Sequence, residues 1–141
     1  MIKRIFLLVL IYCNVQLLYA QTDTELITAT LNDYIEGTAN GQPERLRRAF
    51  HPDFNLYFVN KDSLRVWSGK DYIGNIQEGV KNDRKGKIIS IDIEKDAASA
   101  KIEIDIPSRK RVYTDYLLLL KYQGQWKIIH KSFTFRGYTN N

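Results

Sequence analysis

Residues 114–133 read TDYLLLLKYQGQWKIIHKSF and predict two strands joined by a tight turn. The stretch from Val112 to Tyr122 is apolar at odd and even positions in its middle, which is typical of a central strand. Gly124 tolerates the left-handed backbone conformation that a tight turn requires. Residues 125–135 then return as the last strand. We therefore expect a β-hairpin near the C-terminal end of the chain.

More strands precede this hairpin. Residues 89–94 and 98–106 alternate apolar side chains with serine, lysine and acidic side chains. Strict alternation predicts a strand with one buried face and one face in water. Residues 55–60 and 64–68 resemble a strand pair about a polar turn.

Helical periodicity predicts three helices, all before the long strands. Residues 24–38 space their apolar side chains as one face of a helix, and residues 43–50 form a short second helix that begins with proline. Ser68 can cap a third helix whose apolar face lies within residues 72–80. Three helices followed by four long antiparallel strands predict an α+β fold, in which the helices cover one face of a curved sheet.

The N-terminal sequence MIKRIFLLVLIYCNVQLLYA has the order of parts of a secretory signal peptide. Lys3 and Arg4 form a short positive region, and an apolar run over residues 5–12 follows. The small residue Ala20 closes the segment just before a polar stretch. We therefore predict a signal peptide over residues 1–20 with cleavage after Ala20.

The remaining residues, 21–141, are predicted to form a single exported domain, periplasmic or secreted, without a membrane segment after cleavage. They hold 19 basic and 16 acidic residues, and this net charge of +3 is too small to indicate nucleic-acid binding. The single cysteine, Cys13, lies in the predicted signal peptide, so no thiol remains for a disulfide or a metal. His51 and His130 lie far apart in the sequence, and we expect neither a metal site nor a cofactor.

Two stretches carry a family resemblance: YIEGTANGQPERLRRAFHPDF, residues 34–54, and the hairpin at residues 114–133. They resemble the nuclear transport factor 2-like superfamily, which has a cystatin-like fold, and within it the putative lumazine-binding group near the SnoaL-like polyketide cyclases. The resemblance implies a cone-shaped fold, in which three helices cover a bent sheet and leave a pocket at the wide end. It also implies frequent dimerisation through the outer sheet face. Such a fold does not by itself carry a function.

Ketosteroid isomerases share this fold, and their catalytic groups can be compared with this sequence. The resemblance aligns Tyr34 with their tyrosine on the first helix and Asp115 with their acid on a late strand. It aligns Phe58 with their general base. A phenyl ring cannot abstract a proton, so the resemblance argues against that reaction.

The hairpin also predicts which side chains line the pocket. If the ladder runs back regularly from the turn at Gly124, Asp115 lies opposite Ser132 and Leu117 lies opposite His130. Asp115 and His130 would then be diagonal neighbours on the concave face. The predicted ligand-binding residues are Tyr34, Tyr57, Phe58, Tyr113, Asp115, Leu117, His130 and Ser132.

The opposite face of the hairpin is predicted to be apolar and to form a homodimer interface. An uncovered patch of this kind is rare on monomers, so a second copy of the chain is its expected partner. The predicted patch consists of Val112, Tyr116, Leu118, Phe133 and Phe135.

Asp115, His130 and Tyr34 are the candidate catalytic residues. A buried Asp115 either donates a proton as an acid of raised pKa or simply accepts a hydrogen bond that holds the first helix to the sheet. His130 is either a base or ligand contact, or a packed side chain with no role in binding. His51, beside Pro52, is expected to cap a helix end.

These observations favour an exported domain that binds a small apolar or aromatic molecule without catalysis. One alternative is an acid–base enzyme of the isomerase, dehydratase or cyclase type that uses Asp115, His130 and Tyr34. The other alternative is a dimeric interaction module whose own side chains fill the pocket. Pocket volume separates this last alternative from the other two.

Overall fold

The computed structural model describes residues 21–139, so the predicted signal peptide lies outside the described residues. Its three helices are α1 (Asp23–Ala39), α2 (Pro43–Ala49) and α3 (Gly69–Gly74). Thr22 and Glu25 form a capping box at the start of α1, and the predicted cap of Ser68 on α3 is present. Helix α3 is shorter than predicted, because the chain leaves the helical conformation after Gly74 and Val80 is half exposed.

Six strands form one curved sheet: β1 (Phe50–Asn60), β2 (Ser63–Ser68), β3 (Lys85–Glu94), β4 (Ala97–Ile106), β5 (Arg111–Tyr122) and β6 (Gln125–Gly137). Their order across the sheet is β2-β1-β6-β5-β4-β3. Neighbouring strands are antiparallel except β1 and β6, which are parallel. A short 3₁₀ turn, Pro107–Arg109, connects β4 to β5. The α+β prediction, with a curved sheet and three helices before the long strands, is confirmed.

The core lies between the helices and the concave face of the sheet. Helix α1 contributes Ile27, Leu31 and Tyr34, which are fully buried, and β4 buries its alternate residues from Ala98 to Ile106. Gly86 on β3 allows α1 to approach closely, because a Cβ atom there would lie 2.4 Å from the Ile35 side chain. Helix α1 is therefore packed directly on the sheet, and its side chains reach the strands behind it.

A β-bulge in β6 changes the predicted pairing of the hairpin. The ladder begins as predicted, with Leu119 opposite Ile128, but Leu118 then pairs with His130 and leaves Ile129 without a partner on β5. The side chains beyond the bulge therefore point to the opposite faces from those predicted. The predicted pairs Asp115–Ser132 and Leu117–His130 are wrong.

Beyond the bulge the pairs are Leu117 with Lys131, Tyr116 with Ser132, and Asp115 with Phe133. Lys131, Phe133 and Phe135 consequently lie on the concave face. His130 and Ser132 lie on the outer face, the sheet surface turned away from the helices. The predicted outer patch loses Phe133 and Phe135 for the same reason.

Candidate functional site

A cavity of about 420 Å³ opens between β1, β5, β6 and the loop that leads into β3. Its volume lies within the range of small-molecule pockets. Aromatic rings form most of its wall, and Phe58 and Phe133 stack with their centroids 4.9 Å apart. The apolar and aromatic lining residues are Leu56, Phe58, Val59, Trp67, Tyr72, Tyr113, Phe133 and Phe135.

Three polar side chains meet at the floor of this cavity. The Tyr34 hydroxyl donates a hydrogen bond to Oδ2 of Asp115 at 2.6 Å. Nζ of Lys131 lies 3.1 Å from the same oxygen and donates a hydrogen bond to the Tyr34 hydroxyl. All three residues are almost completely buried. Asp115 is therefore buried and accepts a hydrogen bond that holds the first helix to the sheet, which is one of the two roles expected for it.

The second carboxylate oxygen of Asp115, Oδ1, is buried and has no hydrogen-bond partner within residues 21–139. A buried polar atom without a partner costs free energy, because it gave up its water without replacement. Asp115 lines the cavity, and a ligand that reached this oxygen would supply the partner that it lacks. The floor therefore combines a satisfied ion pair with one unused acceptor.

Three elements bring these groups together. Tyr34 lies on the inner side of α1, and Asp115 lies in the middle of β5. Lys131 faces them because the bulge at Ile129 turns it inward, and bulges commonly redirect a side chain beside an active site.

Strict alternation along β6 missed Lys131, although the sequence holds one signal for it. The buried residues before the bulge, Trp126 and Ile128, have even numbers. The aromatic residues after it, Phe133 and Phe135, have odd numbers. A change of apolar parity within one strand indicates an extra residue between the two stretches.

Tyr34 is held in its neutral form. Burial raises the pKa of its phenol well above the usual value of 10.0, and the nearby carboxylate of Asp115 raises it further. The neutral phenol can donate to Asp115 and accept from Lys131 at once. Tyr34 therefore links the acid to the amine and fixes the position of both.

Three arginine side chains line the cavity: Arg109 and Arg111 lie beside Tyr113 at its mouth, and Arg84 lies deeper, near Tyr34 and Asp115. Asp83 accepts hydrogen bonds from the backbone amide and hydroxyl of Ser108, which fastens the loop carrying Arg84 to the turn carrying Arg109. None of the three arginines forms an ion pair with another residue in the described range 21–139. The mouth therefore carries uncompensated positive charge.

These arginines also influence their neighbours. Burial opposes the charge on Arg84, yet its pKa is raised because Tyr34, Tyr72 and Asp115 lie around it. Burial likewise opposes ionisation of Tyr113, but the Arg111 and Arg109 guanidinium groups outweigh it and lower the pKa of that phenol. Oxygen atoms that carry or develop negative charge are thus favoured at this mouth.

The structure brings only part of the predicted site together. Phe58, Tyr113 and Asp115 line the cavity, and Tyr34 lies behind Asp115 in the core. Leu117 lies on the same face but is also enclosed in the core. His130 and Ser132 lie on the outer face, because the bulge reverses the side-chain direction in that part of β6. Tyr57 lies on the outer face as well, because it is the partner of Ser132 on the neighbouring strand β1. The rings of Tyr57 and His130 stack there with centroids 4.9 Å apart. The expected proximity of Asp115 and His130 is wrong.

His51 lies at a different groove, of about 780 Å³, between α2, β1 and α3. Its ring accepts a hydrogen bond from the backbone amide of Asp53 within β1 and packs edge-on against Tyr122, so the hydrogen bond that it makes among the described residues is not a helix cap. This groove holds no buried, unpartnered polar atom among the described residues.

Within residues 21–139, no group of three or more histidine, cysteine, aspartate or glutamate side chains is positioned to hold a metal ion. None of the helices in that range is long and apolar enough to cross a membrane.

Comparison with known proteins places the chain among related domains. Residues 22–134 match the family described as "Putative lumazine-binding". A protein named aldolase FrzH, from Cladobotryum sp, is 27% identical over 115 residues, which cover 79% of this chain and 90% of that protein.

Two solved structures are similar over most of the chain. A nuclear transport factor 2-like protein of unknown function from Shewanella baltica has a TM-score of 0.71 and 28% identity, covering 84% of this chain and all of that one. Another, from Methylobacillus flagellatus, has a TM-score of 0.71 and 27% identity, covering 84% and 97% of the two chains.

Proposed function

The chain belongs to the putative lumazine-binding family of nuclear transport factor 2-like ligand-binding domains, and from this premise we propose that it binds a small aromatic molecule bearing a negatively charged group. The ring would lie between the aromatic walls of the cavity. The charged group would lie at the mouth, among the arginines.

One observation carries this proposal: three arginines without an ion-pair partner in the described chain surround an aromatic cavity. The planar guanidinium group matches carboxylate and phosphate oxygens with two parallel hydrogen bonds. Arg111 is already held in place, because its guanidinium lies 4.2 Å from the centroid of the Phe135 ring. A preorganised cation costs less free energy to order when a ligand binds.

The volume and lining of the cavity also help to choose between the ligand-binding domain, the interaction module and the enzyme. A volume of about 420 Å³ favours a ligand pocket over an interaction module whose side chains fill the space. Binding without catalysis is supported by Phe58, which stands where related isomerases hold a base, and by the ion pair that already occupies Asp115. We propose further that the domain acts after export, because residues 1–20 have the composition of a signal peptide.

Calorimetry with naphthalene-2-carboxylate and its neutral amide tests this proposal. We expect the carboxylate to bind at least about tenfold more tightly than the amide, and Arg111→Gln to remove most of that difference. Arg136→Gln is the matched control, because Arg136 lies near the same end of the sheet but pairs with Glu103 away from the cavity. Equal affinity for the acid and the amide would reject the proposed recognition of charge.

An acid–base enzyme is the second candidate. Tyr34 and Asp115, two of the three predicted catalytic groups, meet at the cavity floor beside a buried amine. One relative is named an aldolase, and aldol chemistry requires groups that transfer protons near a carbonyl. Lys131 takes the place that His130 had in the predicted site.

A further inference from the structure

We propose that the side-chain amine of Lys131 forms an imine with the carbonyl group of an aromatic aldehyde or ketone bound in the cavity. This inference rests on the proposed ligand pocket and gives it a covalent step. It assigns Lys131 the role of a nucleophile, which sequence analysis did not foresee.

The amine of Lys131 is buried at the cavity. Lys131 is 4% exposed and lines the cavity, whereas the other lysines within residues 21–139 are not buried. Its Nζ atom lies between 4.8 and 5.4 Å from the ring centroids of Tyr34, Tyr72 and Phe133. A ligand in the cavity would therefore meet this amine in a largely apolar environment, where lysine nucleophiles of imine-forming enzymes are found.

The Lys131–Asp115 pair removes two charged groups from water. Burying two charges costs several kcal/mol per ion, and apolar residues of similar size are often as good or better in such a place. The Lys131–Asp115 pair is therefore poorly explained as a means of holding the fold together. A chemical role for the amine explains why the charges are there.

Lys131 and Asp115 both keep unused hydrogen-bonding capacity. An ammonium group has three donors, but Nζ of Lys131 has two polar contacts, with Tyr34 and with Oδ2 of Asp115. Oδ1 of Asp115 is buried and has no partner within the described residues. A donor and an acceptor thus remain for the oxygen of a carbonyl ligand and for the water that imine formation releases.

The reaction balances with these groups alone. Asp115 accepts a proton from the Lys131 ammonium, and the neutral amine attacks the carbonyl carbon, forming the C–N bond and opening the C=O π bond. A proton moves from nitrogen to oxygen to give the carbinolamine. Asp115 then returns its proton to the departing hydroxyl, the C–O bond breaks, and the products are water and a protonated imine. No oxidant, reductant or further reactant is required.

The cavity also specifies the substrate class. With its anionic group at Arg109 and Arg111 and its ring against Phe133, a ligand would direct the opposite end of the ring toward Lys131. We therefore expect an aromatic aldehyde or ketone whose carbonyl and anionic groups are at opposite ends. Tyr34 is a positioning residue in this scheme, because it holds the amine and the carboxylate without contacting the ligand carbon.

The test uses 4-formylbenzoate and sodium cyanoborohydride, which reduces an imine to a stable amine. Protein comprising residues 21–141 is treated with both, and the modified lysines are identified by peptide mass mapping. We expect Lys131 to be labelled at least about tenfold faster than any other lysine, and naphthalene-2-carboxylate to protect it. Lys131→Arg should lose the fast label, and Lys101→Arg, on the outer face over the Tyr116 ring, should keep it.

The outcomes separate this inference from the proposed pocket. If naphthalene-2-carboxylate binds but Lys131 is labelled no faster than the surface lysines, the imine is rejected and the pocket stands. If Lys131 is labelled selectively but naphthalene-2-carboxylate neither binds nor protects, the imine stands and recognition of the anion is rejected. The peptide map of the unmodified sequence decides the matter even if Lys131→Arg does not fold.

Discussion

Nζ of Lys131 lies 3.1 Å from Oδ2 of Asp115, and both side chains are almost completely withdrawn from solvent. The two charges contact each other and the hydroxyl of Tyr34 directly, and Arg84 also lies near Asp115. A carboxylate placed in this way accepts hydrogen bonds from both neighbours.

Asp115→Asn should leave the Lys131 ammonium buried without a counter-ion. Removing one partner of a buried pair costs about 3–5 kcal/mol, and we expect the free energy of unfolding in urea to fall by that amount. The double variant Asp115→Asn with Lys131→Met should lose less than Asp115→Asn alone, because no charge then remains buried. Equal losses in the single and double variants would contradict a dominant role for the uncompensated charge.

The buried phenol of Tyr34 should make the folded protein less stable in alkaline solution. Its pKa is raised in the folded state, so above the ordinary value of 10.0 the unfolded chain releases a proton that the folded chain keeps. The stabilising contribution is complete below that pH and declines as the pH rises toward the raised pKa, by at most about 1.4 kcal/mol per pH unit. Urea unfolding at a series of pH values measures this slope.

The free energy of unfolding of Tyr34→Phe should decline less between pH 9 and pH 11 than that of the unmodified protein. Tyr116→Phe, on the outer face and half exposed, is the control and should keep the decline of the unmodified protein. Equal slopes in all three proteins would show that another group governs alkaline unfolding.

Much of this fold could be predicted, because helical periodicity and strand alternation are local properties of the sequence. The contact of Tyr34 with Asp115 was also predictable, since the extra residue lies in β6 and leaves the alternation of β5 intact. The position of the Lys131 amine at the cavity floor was not predictable in this way. The sheet face to which Lys131 points depends on one unpaired residue, Ile129. Whether a bulge forms there depends in turn on which arrangement of the whole strand buries more apolar surface.

The outer face of β5 should form the interface of a homodimer. Side chains on alternate residues are exposed there by between 41% and 51%, namely Tyr116, Leu118, Leu120 and Tyr122. We expect sedimentation of a dimer at micromolar concentration and of a monomer for Leu118→Glu. Val80→Glu changes an equally exposed apolar residue in a loop and should remain dimeric. A monomeric unmodified protein would refute this interface.

The predicted signal peptide implies that the exported protein begins at residue 21. Protein recovered from the exported fraction should have the intact mass of residues 21–141, because the predicted cleavage follows Ala20. Leu8→Arg interrupts the apolar run and should leave full-length protein inside the cell. Exported protein that still carries Met1 would be incompatible with cleavage.

At Ile129, the length of β6 can change while the side chains on either side keep their faces of the sheet. If this residue were deleted, Ile128 would be followed by His130 and Lys131 in plain alternation, and the amine would still face Asp115. Deletion of Ser132 would instead turn Phe133 and Phe135 away from the cavity. Insertions and deletions are thus expected to collect at this one point among related chains. Relatives that differ in length there can share the same pocket, even where counting residues from the turn suggests that a different side chain lines it.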